Sequence, residues 1–359
     1  MDKRLRSAIV ACIRISVIAA LIGAVFGMGI VLAGGDTGDG GDLPGRLLRS
    51  ALRGIWIGGF IASVLVTVEF FYVNAPAGQW LRNLAFSAYL ATRTLLYLVV
   101  ILAGIWSGAT FFEVSGASSF GWNGETLVQL GFSLLFSLAI NFAMAVNRLL
   151  GQAVFWNFLT GRYHRPVIER RVLLFVDLVG STRTAEAIGD LAFHGLLSDV
   201  YRDLTGPVID HGGTIDKYVG DEMITSWRDS PASRLAAIRC GLDFQQVLDD
   251  AAPRYRDRYG VVPRLRGAIH AGPVVIGEMG DARQEIVYLG DAMNTTARLV
   301  YHCRDRDRAL LVSAAVLSAD PGRNHPDPDW SVEALGTTPV RGRSQPIPIF
   351  AIARRQPAR

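Results

Sequence analysis

The sequence predicts an α+β domain that follows an all-α set of four transmembrane helices. Four apolar runs of membrane-spanning length lie before residue 150. From about residue 169 onward, patterns of short strands and helices alternate, and hairpin turns join several of the strands. Mixed strands and helices of this kind are typical of an α+β sheet, and we expect its helices to pack on one face.

Composition narrows the functional classes. Half of the 359 residues are hydrophobic, and the net charge is +4. Many of the basic residues flank the apolar runs, which favours a basic collar beside a membrane over nucleic-acid binding. Cys12, Cys240 and Cys303 are the three cysteines, and they show no metal-ligand spacing. They predict no disulfide framework and a reducing compartment for the C-terminal part.

Residues 1–148 are predicted to be the transmembrane domain. The four spans cover about residues 15–33, 55–73, 95–112 and 127–146, and each fits the roughly 20 residues that a helix needs to cross the hydrocarbon. The first run could pass for a signal peptide, but it is long enough to span and three more follow. An even number of spans and a basic N-terminus place both the N-terminus and the C-terminal domain in the cytoplasm. We therefore expect a multi-pass protein of the cell (inner) membrane.

The charges of the predicted loops mostly agree with this topology. The loop at residues 74–94 carries Arg82 and Arg93 and is expected inside, whereas the third loop has two glutamates and no basic residue. The first loop is the exception, because arginines at positions 46, 49 and 53 lie where the outside is expected. Those arginines are consistent with the start of an interfacial helix.

Few polar residues fall inside the spans. Arg14 and Glu69 are ionisable, and such a group inside a membrane raises the hypothesis of a functional role. The alternative is that each reaches the interface or pairs with a neighbouring helix. The transmembrane half is interpreted either as a receptor for an unknown lipid or small ligand, or as an anchor and dimeriser.

Residues 149–168 are predicted to be a membrane-proximal connector. The segment holds Phe155, Trp156 and Phe158 and is followed by a basic stretch that ends at Pro166. This pattern indicates a short amphipathic segment at the interface. Because it is too short for a floppy linker, we expect the membrane half and the C-terminal half to be mechanically coupled.

The C-terminal domain, residues 169–359, is predicted element by element from its periodicity and its turn residues. The predicted strands are 170–177, 213–218, 222–227, 263–270, 273–276, 284–288, 309–312, 331–336 and 346–352. The predicted helices are 181–189, 191–210, 231–251 and 291–303, with a short one after residue 312.

The stretch around Asp177 is the first candidate site. Five apolar residues, 172–176, lead to the carboxylate of Asp177, and Gly180 is followed by Ser181 and Thr182. This order predicts a buried strand, a tight turn and a helix that Ser181 or Thr182 caps. Helix N-termini bind phosphate, and a carboxylate beside one binds a hard cation. The stretch is therefore either half of a metal–polyphosphate site or a plain strand–helix junction.

Two later stretches extend this hypothesis. Gly220 and Asp221 form a tight-turn dipeptide between two short strands; if that hairpin lies beside the first strand, Asp221 meets Asp177 and forms a two-metal site. Asn294 and Arg298 are four residues apart on one helix face, where an amide and a guanidinium can hold a ribose and a phosphate. An exposed polar face is the alternative for this last pair.

Taken together, these motifs resemble the catalytic domain of the class III nucleotidyl cyclases over roughly residues 171–353. The matching motifs are Phe175-Val-Asp-Leu-Val-Gly-Ser-Thr182, Lys217-Tyr-Val-Gly-Asp221, Gly267-Ala-Ile-His-Ala-Gly272 with Gly277, Gly290-Asp-Ala-Met-Asn-Thr-Thr-Ala-Arg298, and Leu335-Gly with Arg341-Gly-Arg-Ser-Gln-Pro346. Five motifs in the family's order make the resemblance specific. It implies the ferredoxin-like class III cyclase fold and a membrane-anchored adenylyl cyclase of bacterial type.

The resemblance implies a cofactor and its ligands. Asp177 and Asp221 match the family's two metal-binding aspartates, and Leu178 falls in the same metal-binding motif. Two divalent cations, Mg²⁺ or Mn²⁺, are then expected.

It also implies how ATP is bound. Lys217 and Val287 match the two base-reading positions, and Asn294 and Arg298 match the ribose-orienting and transition-state residues. Arg343 falls where the family carries a basic residue for the terminal phosphates, and Ser181 and Thr182 remain substrate-binding candidates at the N-terminus of the predicted helix. Because metals and base reader come from one protomer and the Asn/Arg pair from the other, the resemblance implies a homodimer through the catalytic domain.

Val287 departs from the family pattern, which usually has Asp, Ser or Thr there. Valine cannot hydrogen-bond the adenine amino group, and Glu285 lies on the same strand face. Lysine at position 217 still argues against guanine. The alternatives to an adenylyl cyclase are a guanylyl or relaxed-specificity cyclase and a catalytically silent, nucleotide-binding membrane receptor.

Overall fold

The computed structural model describes residues 3–33, 42–73, 78–82, 84–112, 134–135, 138, 141–142, 161–281, 284–317, 329–339 and 346–355. The chain divides into two compact units, Met1–Leu150 and Gly151–Arg359.

The N-terminal unit is helical where it is described. Its elements are α1 (Lys3–Leu32), α2 (Leu43–Val68) with a π-helical turn (Glu69–Val73), α3 (Gln79–Arg82) and α4 (Phe86–Phe111). Among the described residues, three helices are long and apolar enough to cross a membrane, and they comprise Cys12–Leu32, Leu43–Val73 and Phe86–Gly108. The second and third begin earlier than predicted. The predicted fourth span, 127–146, falls almost wholly outside the described residues.

Helices α1 and α2 pack closely because small residues face each other. Ser50 Oγ donates a hydrogen bond to the backbone oxygen of Gly27 over 2.8 Å. Gly23 and Gly54 leave no room for a Cβ on either side, since each would collide with the backbone oxygen of the other. Small residues that let two backbones approach are a feature of helix pairs in membranes. The arginines at 46, 49 and 53 lie in the first three turns of α2, so they belong to the start of a helix.

Arg93 was predicted to lie in the loop at residues 74–94, and this prediction was wrong. Helix α4 begins at Phe86, so Arg93 lies in its second turn with its side chain buried. Its guanidinium donates to Glu69 over 2.7 Å, to the Tyr89 hydroxyl over 2.6 Å and to the Tyr97 hydroxyl over 3.0 Å. A buried charge is tolerated when it is paired in this way. Of the two alternatives for Glu69, pairing with a neighbouring helix is the observed one.

The C-terminal unit contains eight strands and five helices among its described residues. The strands are β1 (Val167–Leu178), β2 (Thr214–Val219), β3 (Glu222–Arg228), β4 (Leu265–Met279), β5 (Glu285–Leu289), β6 (Leu310–Ser313), β7 (Trp330–Thr338) and β8 (Ile347–Arg354). The helices are α5 (Ser181–Ile188), α6 (Asp190–Asp210), α7 (Pro231–Asp250), α8 (Ala252–Tyr259) and α9 (Asp291–Asp305).

One difference from the prediction concerns β4, which is a single strand rather than two. It pairs with β1 in unbroken antiparallel register from Leu178 opposite Leu265 to Val167 opposite Ile276. Pro273 lies inside that ladder, opposite Arg170. On its other edge β4 pairs with β6 up to Ile269 and with β5 from Val275. The proline therefore stands between two partner strands, where a missing N–H costs least.

The described strands form one mixed sheet in the order β2-β3-β1-β4-β6-β8-β7, with β5 paired to β4. Only the β4–β6 pair is parallel among the pairings of the described residues. β1 therefore lies centrally, flanked by the β2–β3 hairpin on one side and β4 on the other. Its C-terminal end carries Asp177.

Helices cover both faces of the sheet, so the prediction of a single covered face was wrong. Val172, Leu174 and Val176 pack in one core with α6 and α7, whereas Leu173 and Phe175 pack in another core with α9. All residues from 171 to 176 are buried. A continuous apolar run, rather than an alternating one, is the pattern of a strand that is buried on both faces.

Candidate active site

Asp177 lies at the end of β1, between the two strands that flank it. It is opposite Glu222 of β3 and opposite Arg266 of β4. The carboxyl group of Asp177 is within hydrogen-bonding reach of that of Asp221, in the turn that joins β2 to β3. The structure thus brings together the two aspartates that the motifs singled out, because β3 is the antiparallel neighbour of β1.

The turn that carries Asp221 is held by a helix. Gly220 has a φ of 62°, which suits the first central residue of a two-residue hairpin turn. The Tyr201 hydroxyl of α6 donates to the Gly220 backbone oxygen over 2.9 Å, and the Tyr201 ring lies 4.4 Å from the Tyr218 ring between centroids. Sequence reasoning missed Tyr201, since nothing in the pattern of α6 says which strand end it faces.

Arg266 makes the closest charged contact to Asp177. Its Nη2 and Nε lie 2.6 Å and 2.9 Å from Asp177 Oδ2. Burial raises the pKa of Asp177, the Arg266 hydrogen bond opposes that rise, and Asp221 adds to it. Burial, together with the charges of Asp177 and Asp221, raises the pKa of Glu222 to about 7. Arg266 was not singled out in the sequence, because only the strand register brings it to Asp177.

The donor set fits a hard divalent cation. Within the described residues no group of three or more His, Cys, Asp and Glu side chains is arranged to hold a metal. Mg²⁺, however, typically takes only one or two protein carboxylates and completes its shell with water and substrate phosphates. Two carboxylates in contact, here Asp177 and Asp221, suit that arrangement. The Leu178 side chain is 2% exposed and apolar, so only its backbone oxygen is a possible ligand.

The helix that follows Asp177 begins at Ser181, but no side chain caps it. The N-cap residue is Gly180, with a φ of 71°, and it makes no side-chain hydrogen bond. The prediction that Ser181 or Thr182 caps the helix was therefore wrong: they are its first two residues. The first backbone N–H groups of any α-helix lack intrahelical partners, and with the helix dipole they form an anion site. That site lies only a few residues from Asp177.

Lys217 and Glu285 form an ion pair across two strands that are not ladder partners. Lys217 of β2 places Nζ 3.0 Å from Oε2 of Glu285 on β5. Both side chains reach solvent, at 56% and 37% exposure. Val287 is half-buried, two residues further along β5 and opposite Gly277 of β4. Lys217 therefore contacts Glu285, and Val287 lies two residues further along the same strand.

A buried polar cluster lies beneath this edge. The ladder of β2 and β3 shifts register between Ile215 and Lys217, and the bulged residue Asp216 has both carboxylate oxygens shielded from solvent. Burial raises the pKa of Asp216 to about 6, while the hydroxyls of Ser226 and Tyr288 and the charge of Arg171 oppose the rise. β-Bulges beside active sites re-aim neighbouring side chains. Sequence reasoning did not single out Asp216, although an acidic residue among the apolar residues of β2 was a signal that could have identified it.

The same cluster reaches the segment that precedes β1. Arg171 Nη2 donates to the Tyr163 hydroxyl over 3.1 Å and pairs with Glu169 over 2.8 Å. Tyr163 is 1% exposed, and its backbone oxygen accepts from Glu278 N over 3.0 Å. The end of the predicted connector is therefore packed against β1 and β4.

Asn294 and Arg298 lie on α9, as their spacing predicts. Asn294 is exposed and Arg298 half-buried, while Thr295, Thr296 and Leu299 face the sheet. In the part of the chain that the structure describes, no hydrogen bond or ion pair joins Asn294 or Arg298 to the carboxylates of the site. Arg343 lies outside the described residues.

Comparison with known proteins identifies the family of the chain. The family described as "Adenylate and Guanylate cyclase catalytic domain" matches residues 166–353. The chain belongs to this family. The matched cyclase domain runs from the residue before β1 almost to the end of β8, so it contains every strand named above.

Three relatives give the degree of similarity. Adenylate cyclase 2 of Rhizobium meliloti (strain 1021) is 37% identical over 269 residues, which cover 74% of this chain and 73% of that protein. That alignment is longer than the segment from residue 166 to the end, so it extends into the N-terminal half. An adenylate cyclase of Anabaena cylindrica is 29% identical over 51% of this chain and 37% of its own length. A solved bacterial light-regulated adenylyl cyclase shares the fold, with a TM-score of 0.54 at 21% identity over 65% of this chain and 67% of that chain.

Proposed function

We propose that this chain is a membrane-bound adenylyl cyclase that converts ATP to cyclic AMP and pyrophosphate. The observation that carries the proposal is the contact between the carboxyl groups of Asp177 and Asp221 beside the N-terminus of α5. The two carboxylates form a site for a cation and the helix N-terminus forms a site for an anion, and a metal-bound triphosphate binds through both. The names of the two aligned relatives, both adenylate cyclases, support the same substrate.

The dimensions of the β2–β3 hairpin support a nucleotide laid along it. Lys217 and Asp221 are four residues apart, at most about 13 Å along an extended strand. That distance is on the scale of a nucleoside with its α-phosphate. Lys217 then donates to the purine, while Asp177, Asp221 and the backbone oxygen of Leu178 hold the cations.

The reaction is an attack of the ribose 3′-oxygen on the α-phosphorus, in which the bond to pyrophosphate breaks and the 3′-hydroxyl proton is released. When bound, two Mg²⁺ or Mn²⁺ ions would lower the pKa of that hydroxyl and neutralise the triphosphate. Asn294 orients the ribose. Arg298 donates to the α-phosphoryl oxygens as their negative charge grows, a contact that raises rate more than affinity. The first N–H groups of α5, at Ser181 and Thr182, hold phosphate oxygens, and Arg343 binds the terminal phosphates.

Two copies of the chain are needed to complete a site. Asn294 and Arg298 occupy the outer face of α9, and they make no bond to the carboxylates among the described residues. A second chain brings its α9 to the β2–β3 hairpin of the first, and the reverse contact forms an equivalent second site. We therefore assign a homodimer through the catalytic domain.

The three apolar helices support anchoring in the cell (inner) membrane. The domain order is a transmembrane domain at 1–148, a connector at 149–168 and the cyclase domain at 169–359. The N-terminus and the cyclase domain lie in the cytoplasm, where ATP is available, and the transmembrane domain receives a ligand or serves as an anchor.

The proposal is tested with the full-length chain purified in detergent. Cyclic AMP and cyclic GMP are measured from ATP and GTP with Mg²⁺ or Mn²⁺, with a chelator, and in an Asp177→Asn variant. We expect cyclic AMP from ATP, lost with the chelator and in the variant. Preferred turnover of GTP would support the guanylyl alternative. Nucleotide binding without either product would support the silent receptor.

A further inference from the structure

The purine-reading edge of the site has an acid where the motif does not place one. Val287 occupies the second base-reading position and offers no hydrogen bond. Glu285, on the same face of β5, instead reaches Lys217 with an Nζ–Oε2 distance of 3.0 Å. We propose that Glu285, rather than Val287, accepts the hydrogen bond from the amino group of adenine. This inference rests on the proposed function and adds a specificity-determining residue to it.

The Lys217–Glu285 contact is built into the fold rather than being a chance surface pair. β5 is paired with β4 and β2 with β3, so no ladder holds Lys217 and Glu285 together. Asp216, next to Lys217 on β2, and Tyr288, three residues along β5 from Glu285, both belong to the buried polar cluster below the ion pair. The two strands are therefore also close together beneath the exposed pair. Both charged groups therefore point to the solvent-facing edge at a set distance.

The chemistry of the pair matches the edge of a purine. A lysine only donates hydrogen bonds and an ionised glutamate only accepts them. Adenine offers an acceptor at N1 and a donor at its 6-amino group, so Lys217 faces N1 and Glu285 faces the amino group. Guanine reverses both, with a donor at N1 and an acceptor at O6. In this orientation the N1 donor of guanine would face the donor of Lys217 and its O6 acceptor would face the acceptor of Glu285, so both hydrogen bonds would be lost.

The Val287 side chain then has a different role in binding the base. It is half-buried two residues from Glu285 on the same strand face, where an apolar side chain can pack against the face of the base. The site thereby separates polar recognition of the purine edge from apolar contact with its plane.

The test measures kcat and KM for ATP and for GTP with the full-length enzyme. Glu285→Ala is expected to lower kcat/KM for ATP about 10- to 100-fold, since it removes a hydrogen bond to a charged acceptor, and to reduce the ATP preference. Glu285→Gln keeps a hydrogen-bond acceptor without the charge, so its kcat/KM for ATP should fall between the values of wild type and Glu285→Ala. The double variant Lys217→Glu with Glu285→Lys keeps an ion pair but reverses it, so its preference should move toward GTP. Gln284→Ala, at the exposed residue just before β5, is the matched control and keeps wild-type values.

Two results would overturn the inference. One is a Glu285→Ala enzyme whose ATP/GTP ratio and KM for ATP stay within about twofold of wild type. The other is a wild type that prefers GTP. If the wild type makes neither product, the proposed function fails separately, and displacement of a fluorescent ATP analogue by ATP and by GTP gives the same comparison between variants.

Discussion

The guanidinium of Arg266 lies against the carboxylate of Asp177, with Nη2 2.6 Å from Oδ2, directly across the β1–β4 ladder. The same carboxylate contacts Asp221. Arg266 therefore stabilises a pair of acids that repel each other, and a cation that binds there competes with it for Asp177. A cation bound there would share the negative charge at the end of β1 with a fixed side chain.

This sharing predicts a metal-dependent stability effect. Arg266→Gln should destabilise the metal-free protein by roughly 1–3 kcal/mol, because it removes a charged hydrogen bond. Saturating Mg²⁺ should recover more stability in the variant than in wild type, since the vacated negative charge favours the cation. Thermal unfolding of the full-length chain with chelator and with Mg²⁺ gives both values. Arg264→Gln, which changes an exposed neighbour, is the control. An equal gain in stability with Mg²⁺ in wild type and in Arg266→Gln would contradict the prediction.

A composite site predicts complementation between two inactive chains. Asp177→Ala would remove the proposed cation site and Arg298→Ala the proposed transition-state contact, so neither homodimer should be active. When equal amounts are co-expressed, half of the dimers are mixed and each mixed dimer keeps one of two sites. We therefore expect about a quarter of wild-type cyclic AMP production. Two Asp177→Ala chains with different tags are the negative control, and no activity in the mixture would rule out the shared site.

The hydroxyl of Tyr201 is expected to position the turn that carries Asp221. Tyr201→Phe removes its hydrogen bond to Gly220 but keeps the ring contact with Tyr218. We expect a loss of about 1 kcal/mol, or roughly fivefold in kcat/KM, together with a higher Mg²⁺ requirement. Tyr218→Phe keeps the bond to Gly220 and should change the Mg²⁺ requirement less. The rate is measured as a function of Mg²⁺ concentration. If the two variants give the same curve, the Tyr201 hydroxyl does not position the turn.

Asp216 predicts a pH dependence of stability. Its pKa of about 6 in the folded chain exceeds its ordinary value of 3.8, so between about pH 4 and pH 6 the folded state binds more protons than the unfolded one. Its contribution to the free energy of unfolding therefore falls as pH rises through that window. Asp216→Asn does not titrate, so it should gain up to about 3 kcal/mol over wild type by pH 7 and little at pH 4.

The measurement is the denaturant midpoint of wild type and Asp216→Asn across that pH range. Asp257→Asn, an exposed acid on α8, should differ from wild type by the same small amount at every pH. A constant difference for Asp216→Asn as well would show that its carboxyl titrates normally.

The segment before β1 predicts coupling to the site. Tyr163 contacts Arg171, and a Cβ at Gly277 would meet Pro166, so the segment is fastened to β1 and β4. Two glycines inserted after Thr160 should leave the cyclase domain folded but change the activity of the full-length chain, since the connector no longer transmits position. Tyr163→Ala should act in the same direction and Tyr163→Phe more weakly. Cyclic AMP production equal to wild type in the insertion variant would argue against mechanical coupling.

The sequence by itself determined the parts whose information is local. The apolar run 172–176 predicted a buried strand, Gly220 and Asp221 predicted a hairpin turn, and the spacing of Asn294 and Arg298 put both on one helix face. Periodicity and turn chemistry act over a few residues, so one chain suffices to predict them. The order of five motifs was enough to identify the cyclase family.

The tertiary structure decided what depends on long-range pairing. Arg266 meets Asp177 only because β4 aligns with β1 in one register, and their 89-residue separation left no periodic signal. Glu285 meets Lys217 across two strands that share no ladder, so neither a hairpin nor a sequence spacing brings them together. Arg93 carries a loop-like charge, yet Glu69 and two tyrosines compensate it inside a helix bundle. Burial and compensation of charge are properties of the packed chain, so no local pattern could have predicted them.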